Sequence, residues 1–172
     1  LDQVVALRRL GHQAVVVGRG KEGFVAESVR SMGIEYFGIP MKGLKDLLFL
    51  VRLVRKHAVD IIHTSLDRAD YFGALLSWLS QKPRVSTMNV RRYHIGYRFA
   101  DRIVTVSKIQ KELLIRNGIR PERICVIRPW IDADRYSHPH ADTRDSWKRE
   151  LNTDRYSIVV CHISSILPQK NH

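Results

Sequence analysis

Between Ala100 and Asp132 the chain reads ADRIVTVSKIQKELLIRNGIRPERICVIRPWID, and this stretch admits few folds. Arg102 to Val106 is a β-branched run, long enough for a buried strand and too short for a stable helix. Ser107 follows as an N-cap, because its hydroxyl can accept an orphan amide proton of a new helical turn. Ile109, Leu113 and Leu114 then share one helical face, while Lys108, Lys111 and Glu112 are left for water. Asn117-Gly118 ends the helix, since glycine takes the left-handed conformation without a Cβ clash. Pro121 and Glu122 turn the chain into a second buried strand, Ile124 to Ile127. Strand, helix and strand in one sheet make a right-handed parallel crossover.

The remaining sequence repeats this alternation. Residues 2–10 read as the end of an amphipathic helix stopped by Gly11, and Gln13 to Gly18 as a strand of mostly valine. Val25 to Met32 is a short helix ended by Gly33, and Ile34 to Phe37 a short strand near an edge. Leu44 to Lys56 is the strongest helix. Leu44, Leu47, Leu48, Val51 and Val54 form its expected core stripe, widened by Phe49, Leu50 and Leu53. Its basic edge could rest on an anionic membrane, but packing on a sheet is the expected use of so wide an apolar face. Val59 to Thr64 is a strand, Ser65 to Asp70 its loop, and Tyr71 to Ser80 a helix. Arg84 to Thr87 is a further strand, and Tyr93 to Ala100 a short aromatic helix. The pattern predicts an α/β domain with a mainly parallel sheet. A helix precedes the first complete strand, so a doubly wound fold would have one more strand before Leu1.

After Asp132 the texture becomes polar and aperiodic around Pro139, as in a hinge. Asp145 to Leu151 makes a short helix, and Tyr156 to Ile163 a fresh buried strand followed by SSILPQKNH. The expected division is residues 1–130 as one Rossmann-like domain, 131–150 as hinge, and 151–172 as the start of a second.

Hydrophobic residues make up 44% and charged residues 27%, an ordinary globular balance. Neither Cys125 nor Cys161 has a second cysteine nearby, so both are read as small buried hydrophobes of a reducing compartment and no zinc site is expected. No carboxylate or histidine cluster has ligand spacing, so no metal is implied. The net charge of +12 favours anionic partners: nucleic acid, acidic lipid or phosphorylated substrate. Its alternative is a basic solvated surface with no single partner. The basic residues are scattered and carry no helix-turn-helix or RNP signature, so nucleic acid is not the expected partner.

The order of ADRIVTVS, NGI, PERI and ID resembles the family 4 retaining glycosyltransferases, in which two Rossmann-like domains face each other across a cleft, the GT-B fold. The resemblance runs from LRRLGHQAVVVGR to LPQKN. It implies transfer of a sugar from a nucleotide diphosphate sugar to a glycan, sugar-phosphate or lipid-linked acceptor, with the nucleotide sugar as co-substrate and no resident cofactor. It also implies a cytoplasmic location, at most peripheral on the inner face of the membrane. Ligands of open parallel sheets gather at the strands' carboxyl ends. Lys170 matches the family's diphosphate-contacting lysine, with Ser164 and Ser165 standing where the family has glycine and arginine. Ser65 and Asn89 stand where the family often has histidines near the sugar. An amide cannot act as a general base but can bind a sugar hydroxyl. His63 is expected as a satisfied core or near-core residue. Arg91 and Arg92, with Tyr93 and His94, either grip a charged acceptor or serve solubility. Ser107 can present a helix N-terminus to an anion, though capping alone explains it. Pro129-Trp130 replaces the family's Asn-Gly, so Trp130 fills the interdomain crease or stacks on substrate. The family's acidic EX7E-type motif belongs to the second domain and is not found here, so these 172 residues alone are expected to be inactive. Two rival readings remain: a sugar-nucleotide epimerase of the same plan, and a basic anion- or nucleic-acid-binding module.

Overall fold

Among the described residues six short runs, five of them holding β-branched residues, become strands, and every pairing among them is parallel. The computed structural model describes residues 2–129 and 141–154. In order these are α1 (Asp2–Arg9), β1 (Val15–Gly18), α2 (Phe24–Ser31), β2 (Glu35–Gly38), α3 (Leu44–Lys56), β3 (Ile62–Ser65), α4 (Asp67–Ser80), β4 (Arg84–Met88), β5 (Arg102–Thr105), α5 (Lys108–Arg116), β6 (Ile124–Val126) and α6 (Ala141–Glu150). Two 3-10 turns, Ile95–Phe99 and Pro121–Arg123, precede β5 and β6. The chain divides into two compact units, residues 1–129 and 130–172.

Within the first unit β1 pairs only with β2, while β3, β4, β5 and β6 form a four-stranded sheet in that order. Two apolar clusters support them. One gathers Ile39, Met41, Ile62 and Leu76 around the inner face of α3, with Val15, Val17 and Phe37 packed against it. The other gathers Met88, Tyr97, Ile103, Leu114 and Ile124 beneath α5. Each such large side chain, fully buried, contributes roughly 1.5–3 kcal/mol. The helix ends follow their capping residues. Ser107 Oγ accepts from Gln110 N at 3.3 Å, and the Gln110 side chain accepts in turn from Val106 N at 2.9 Å. This is a variant of the capping box. Gly118 has φ 82° and closes α5, with Ile119 N donating to Leu114 O at 3.1 Å.

Several expectations need correction. The buried stripe of α3 is Leu47, Leu50, Val51, Leu53 and Val54; Leu44 and Leu48 are 69% and 48% exposed. So many apolar residues cannot share one face, and packing on the sheet favours the row centred on Leu50 and Leu53. On α5, Ile109 is exposed and Gln110 buried, because the capping role of Gln110 turns it inward. Helix α4 begins at Asp67, so most of the segment expected as a loop is its first turn. Helix α6 begins at Ala141, four residues earlier than expected. Cys125 is exposed, since alternation along β6 sends Ile124 to the core and Cys125 to the other face. The expected strand Tyr156 to Ile163, and Cys161 within it, lie outside the described residues.

Candidate functional site

Parallel pairing brings the loops after β3, β4 and β5 to one edge of the sheet. Register places Ser65 beside Thr87 and Met88 beside Thr105, so Ser65 ends its strand while Asn89 and Ser107 lie just past the carboxyl ends of theirs, on neighbouring strands. Ser65 and Asn89 meet directly: the Asn89 Nδ2 donates to Ser65 Oγ at 2.6 Å. That bond leaves the Ser65 hydroxyl proton and the Asn89 carbonyl oxygen to offer one donor and one acceptor to a ligand. Two residues earlier on each strand, His63 Nε2 and Thr87 Oγ1 are 2.7 Å apart. His63 is satisfied as expected but exposed, on the sheet face opposite the buried Thr64. Desolvation by the surrounding residues lowers its pKa, against a smaller upward pull from Asp70.

The turn into α4 carries a network of charged groups that single-residue reading missed. Leu66 adopts φ 79°, a conformation costly for a residue with a Cβ. It sets Asp67 at the first turn of α4, where Asp67 lies 3.8 Å from Arg92 Nη1 and 3.6 Å from His94 Nε2. His94 is buried, stacks on Tyr97 with ring centroids 3.9 Å apart, and sits 3.2 Å from Asp70 Oδ2. Beneath it Asp70 is fully buried. Its Oδ1 accepts from Arg84 Nη1 at 2.8 Å, from Ser86 Oγ at 2.5 Å and from the Thr64 hydroxyl. Arg84, equally buried, sends its Nη2 to Gly96 O at 2.6 Å. Burial pushes the Arg84 pKa down and Asp70 opposes this, and the hydrogen bonds of the pair bolt α4 to β3, β4 and the 3-10 turn. Tyr97 is driven well above its ordinary range, mainly by burial and then by the charge of Asp70. The sequence held a signal for this network: Asp70 shares a face of α4 with Gly73, and Arg84 has the inward parity of Ser86 and Met88.

Arg91 and Arg92 are exposed beside this edge, and Arg92 reaches Asp67 only at the limit of an ion pair. Ser107 is occupied as the cap of α5. Lys170, Ser164, Ser165 and Trp130 lie outside the described residues. Among the described residues no cluster of three or more His, Cys, Asp or Glu could hold a metal. No helix among them is long and apolar enough to cross a membrane.

Residues 1–135 match the family described as Glycosyltransferase Family 4. The chain belongs to glycosyltransferase family 4. Its parallel, Rossmann-like architecture is that of GT-B enzymes. A glycosyltransferase of Rickettsia africae superposes with a TM-score of 0.73 at 15% identity, covering 88% of this chain and 44% of that one. Anabaena HepE, solved in complex with UDP-glucose, gives 0.66 at 16% identity over 80% of this chain and 42% of its own. A curated relative, the UDP-Gal:alpha-D-GlcNAc-diphosphoundecaprenol alpha-1,3-galactosyltransferase of Escherichia coli, is 23% identical over 76% of the chain. The chain spans 38% of the length of that relative.

Proposed function

We propose that this chain is the acceptor-side lobe, with the beginning of the donor-side lobe, of a retaining glycosyltransferase that uses a nucleotide diphosphate sugar and a lipid-linked or other glycan acceptor. The observation that carries the reading is the Ser65–Asn89 pair, at the strand ends where a parallel sheet gathers its ligands. Similarity to an enzyme named for a UDP-sugar donor and a diphosphoundecaprenol acceptor supports the choice of substrates. In this reading the free hydroxyl proton of Ser65 and the carbonyl of Asn89 orient a sugar hydroxyl, and Arg91 and Arg92 attract an acceptor's phosphates. Neither Asn89 nor His63, whose Nε2 already faces Thr87, is needed as a base. Lys170, with Ser164 and Ser165, stabilises the departing diphosphate by charge and hydrogen bonding, a contribution that can carry much of a transfer reaction. Ser107 holds α5 in place at the same edge. The protein works in the cytoplasm, meeting its acceptor at the inner face of the membrane.

The test is binding of an α-GlcNAc-diphosphate carrying a short lipid tail, followed by amide NMR shifts. Shifts centred on residues 65, 89, 91 and 92 are expected, with affinity reduced about tenfold in Asn89→Ala, the loss of a hydrogen bond or two. Shifts confined to other strand ends, or an unaltered affinity in Asn89→Ala and Ser65→Ala, would overturn the assignment. In a polypeptide carrying both lobes, incorporation of galactose from UDP-galactose with retained anomeric configuration is the expected product. Epimerisation of the nucleotide sugar without acceptor would point instead to the epimerase reading.

A further inference from the structure

The amino ends of the strands carry a feature that sugar transfer does not use. A cavity of about 390 Å3 is lined by Arg98, Phe99, Asp101, Arg102, Arg120 and Arg123, together with Ala100. These residues lead into or begin β5 and lead into β6, whereas Ser65 ends β3 and Asn89 and Ser107 follow β4 and β5. In a parallel sheet these are opposite edges, and a four-residue strand separates them by roughly 13 Å.

Two of the arginines are fixed in place. Arg123 Nη2 donates to Arg98 O at 2.8 Å and to the Ala100 carbonyl. Arg98 Nε donates to the Tyr93 hydroxyl at 3.0 Å and its Nη2 to Asn117 O at 3.1 Å. These bonds hold the wall in shape. The other two are loosely engaged: Arg102 Nη1 reaches Asp101 O at 3.3 Å, and Arg120 Nε stands 3.9 Å from Glu122 Oε1 with both side chains exposed. An ion pair of that kind contributes little. The carboxylate in the lining, Asp101, already accepts the Arg84 amide proton at 2.7 Å. Four arginines therefore line one space beside a single engaged carboxylate. Their mutual repulsion falls when an anion enters.

We propose that this cavity is a phosphate-binding site, separate from the sugar-transfer edge, taking a phosphate or diphosphate group. Several guanidinium forks suit the multiple oxygens and near-double charge of phosphate better than a single carboxylate. The volume falls within the roughly 300–1,000 Å3 of small-ligand sites. Phe99 stands at the same rim with 63% of its surface exposed. A phosphate borne by a lipid headgroup would bring apolar chain to Phe99; a soluble phosphate would leave the ring in water.

Inorganic pyrophosphate titrated into the protein at constant ionic strength, followed by amide NMR shifts, is the first arm. Co-sedimentation with phosphatidylglycerol or phosphatidylcholine vesicles is the second. Saturable shifts at residues 98–102 and 120–123 are expected. Their affinity should fall about tenfold in Arg102→Gln/Arg120→Gln, whose side chains are exposed, and stay unchanged in Lys170→Gln. Glu122→Gln should tighten binding. Capture by phosphatidylglycerol vesicles alone, lost in the double variant and weakened in Phe99→Ser, would equally support the site and make the source a lipid headgroup. Sodium chloride reproducing the pyrophosphate shifts, or a double variant indistinguishable from the parent in both arms, would overturn it.

Discussion

At the scale of single residues, the site edge is shaped by groups that never reach solvent. Asp70 and Arg84 are both fully buried, and each is the other's main counter-charge. Removing one partner leaves an unpaired charge in the interior, which costs about 3–5 kcal/mol, whereas replacing both with apolar groups is often near neutral. Asp70→Ala is therefore expected to lower the denaturant midpoint sharply. Asp70→Ala/Arg84→Met should recover much of the loss, and a double variant no more stable than the single would contradict the pairing. His63 gives a milder, pH-dependent test. Its folded-state pKa lies below the ordinary 6.5, chiefly through desolvation. As pH falls through 6.5 the unfolded chain takes up the proton first, so stability conferred by the neutral imidazole is complete above that value and declines below it. Chemical denaturation between roughly pH 8 and pH 5 should show a steeper acid-side loss in the parent than in His63→Gln.

At the scale of elements, α4 meets the sheet through Gly73, where a Cβ would collide with the Thr64 side chain and press on Arg84 Cδ. Gly73→Ala would gain up to about 1 kcal/mol of helix propensity. The crowding should outweigh that, at a cost of roughly 1–3 kcal/mol, because Thr64 is β-branched, buried and hydrogen-bonded to Asp70. Thermal unfolding of the variant reads the sign directly. The same helix shows what could and could not be seen in the sequence. Alternating strand and helix periods, Ser107 as a cap and Gly118 as a terminator are local signals, and each reappears at or near its expected place. The pairing of Ser65 with Asn89 was legible only as two loops at one edge; their contact depends on the register of β3 against β4. The Asp70–Arg84–His94 network was signalled only by the inward parity of Arg84 and the face Asp70 shares with Gly73, and it was missed because it joins residues from separate elements whose polarity suggested solvent. The inner face of α3 was misplaced for a related reason: an overly apolar helix leaves its rotation to tertiary packing.

At the scale of the whole first unit, the sheet is in two pieces that share one apolar cluster. Val15 and Val17 of β1 and Ile62 of β3 contact the same core, yet β1 pairs only with β2 and β3 only with β4. Each of β1 and β3 thus has one edge without a strand partner among the described residues, and all four residues of β1 are only half-buried. Exposed parallel edges are unfavourable, and a doubly wound sheet orders its strands 3-2-1-4-5-6. If one strand is inserted between β1 and β3, the observed order becomes that one with β6 added as a seventh strand at the edge. A strand in this place would run parallel to both neighbours. Hydrogen exchange can decide the matter. In the 172-residue chain, the β1 and β3 amides directed away from β2 and β4 should exchange quickly. A longer chain bearing that strand should protect both sets together and raise the unfolding midpoint. Protection of one edge without the other would mean that the two pieces do not flank a common strand.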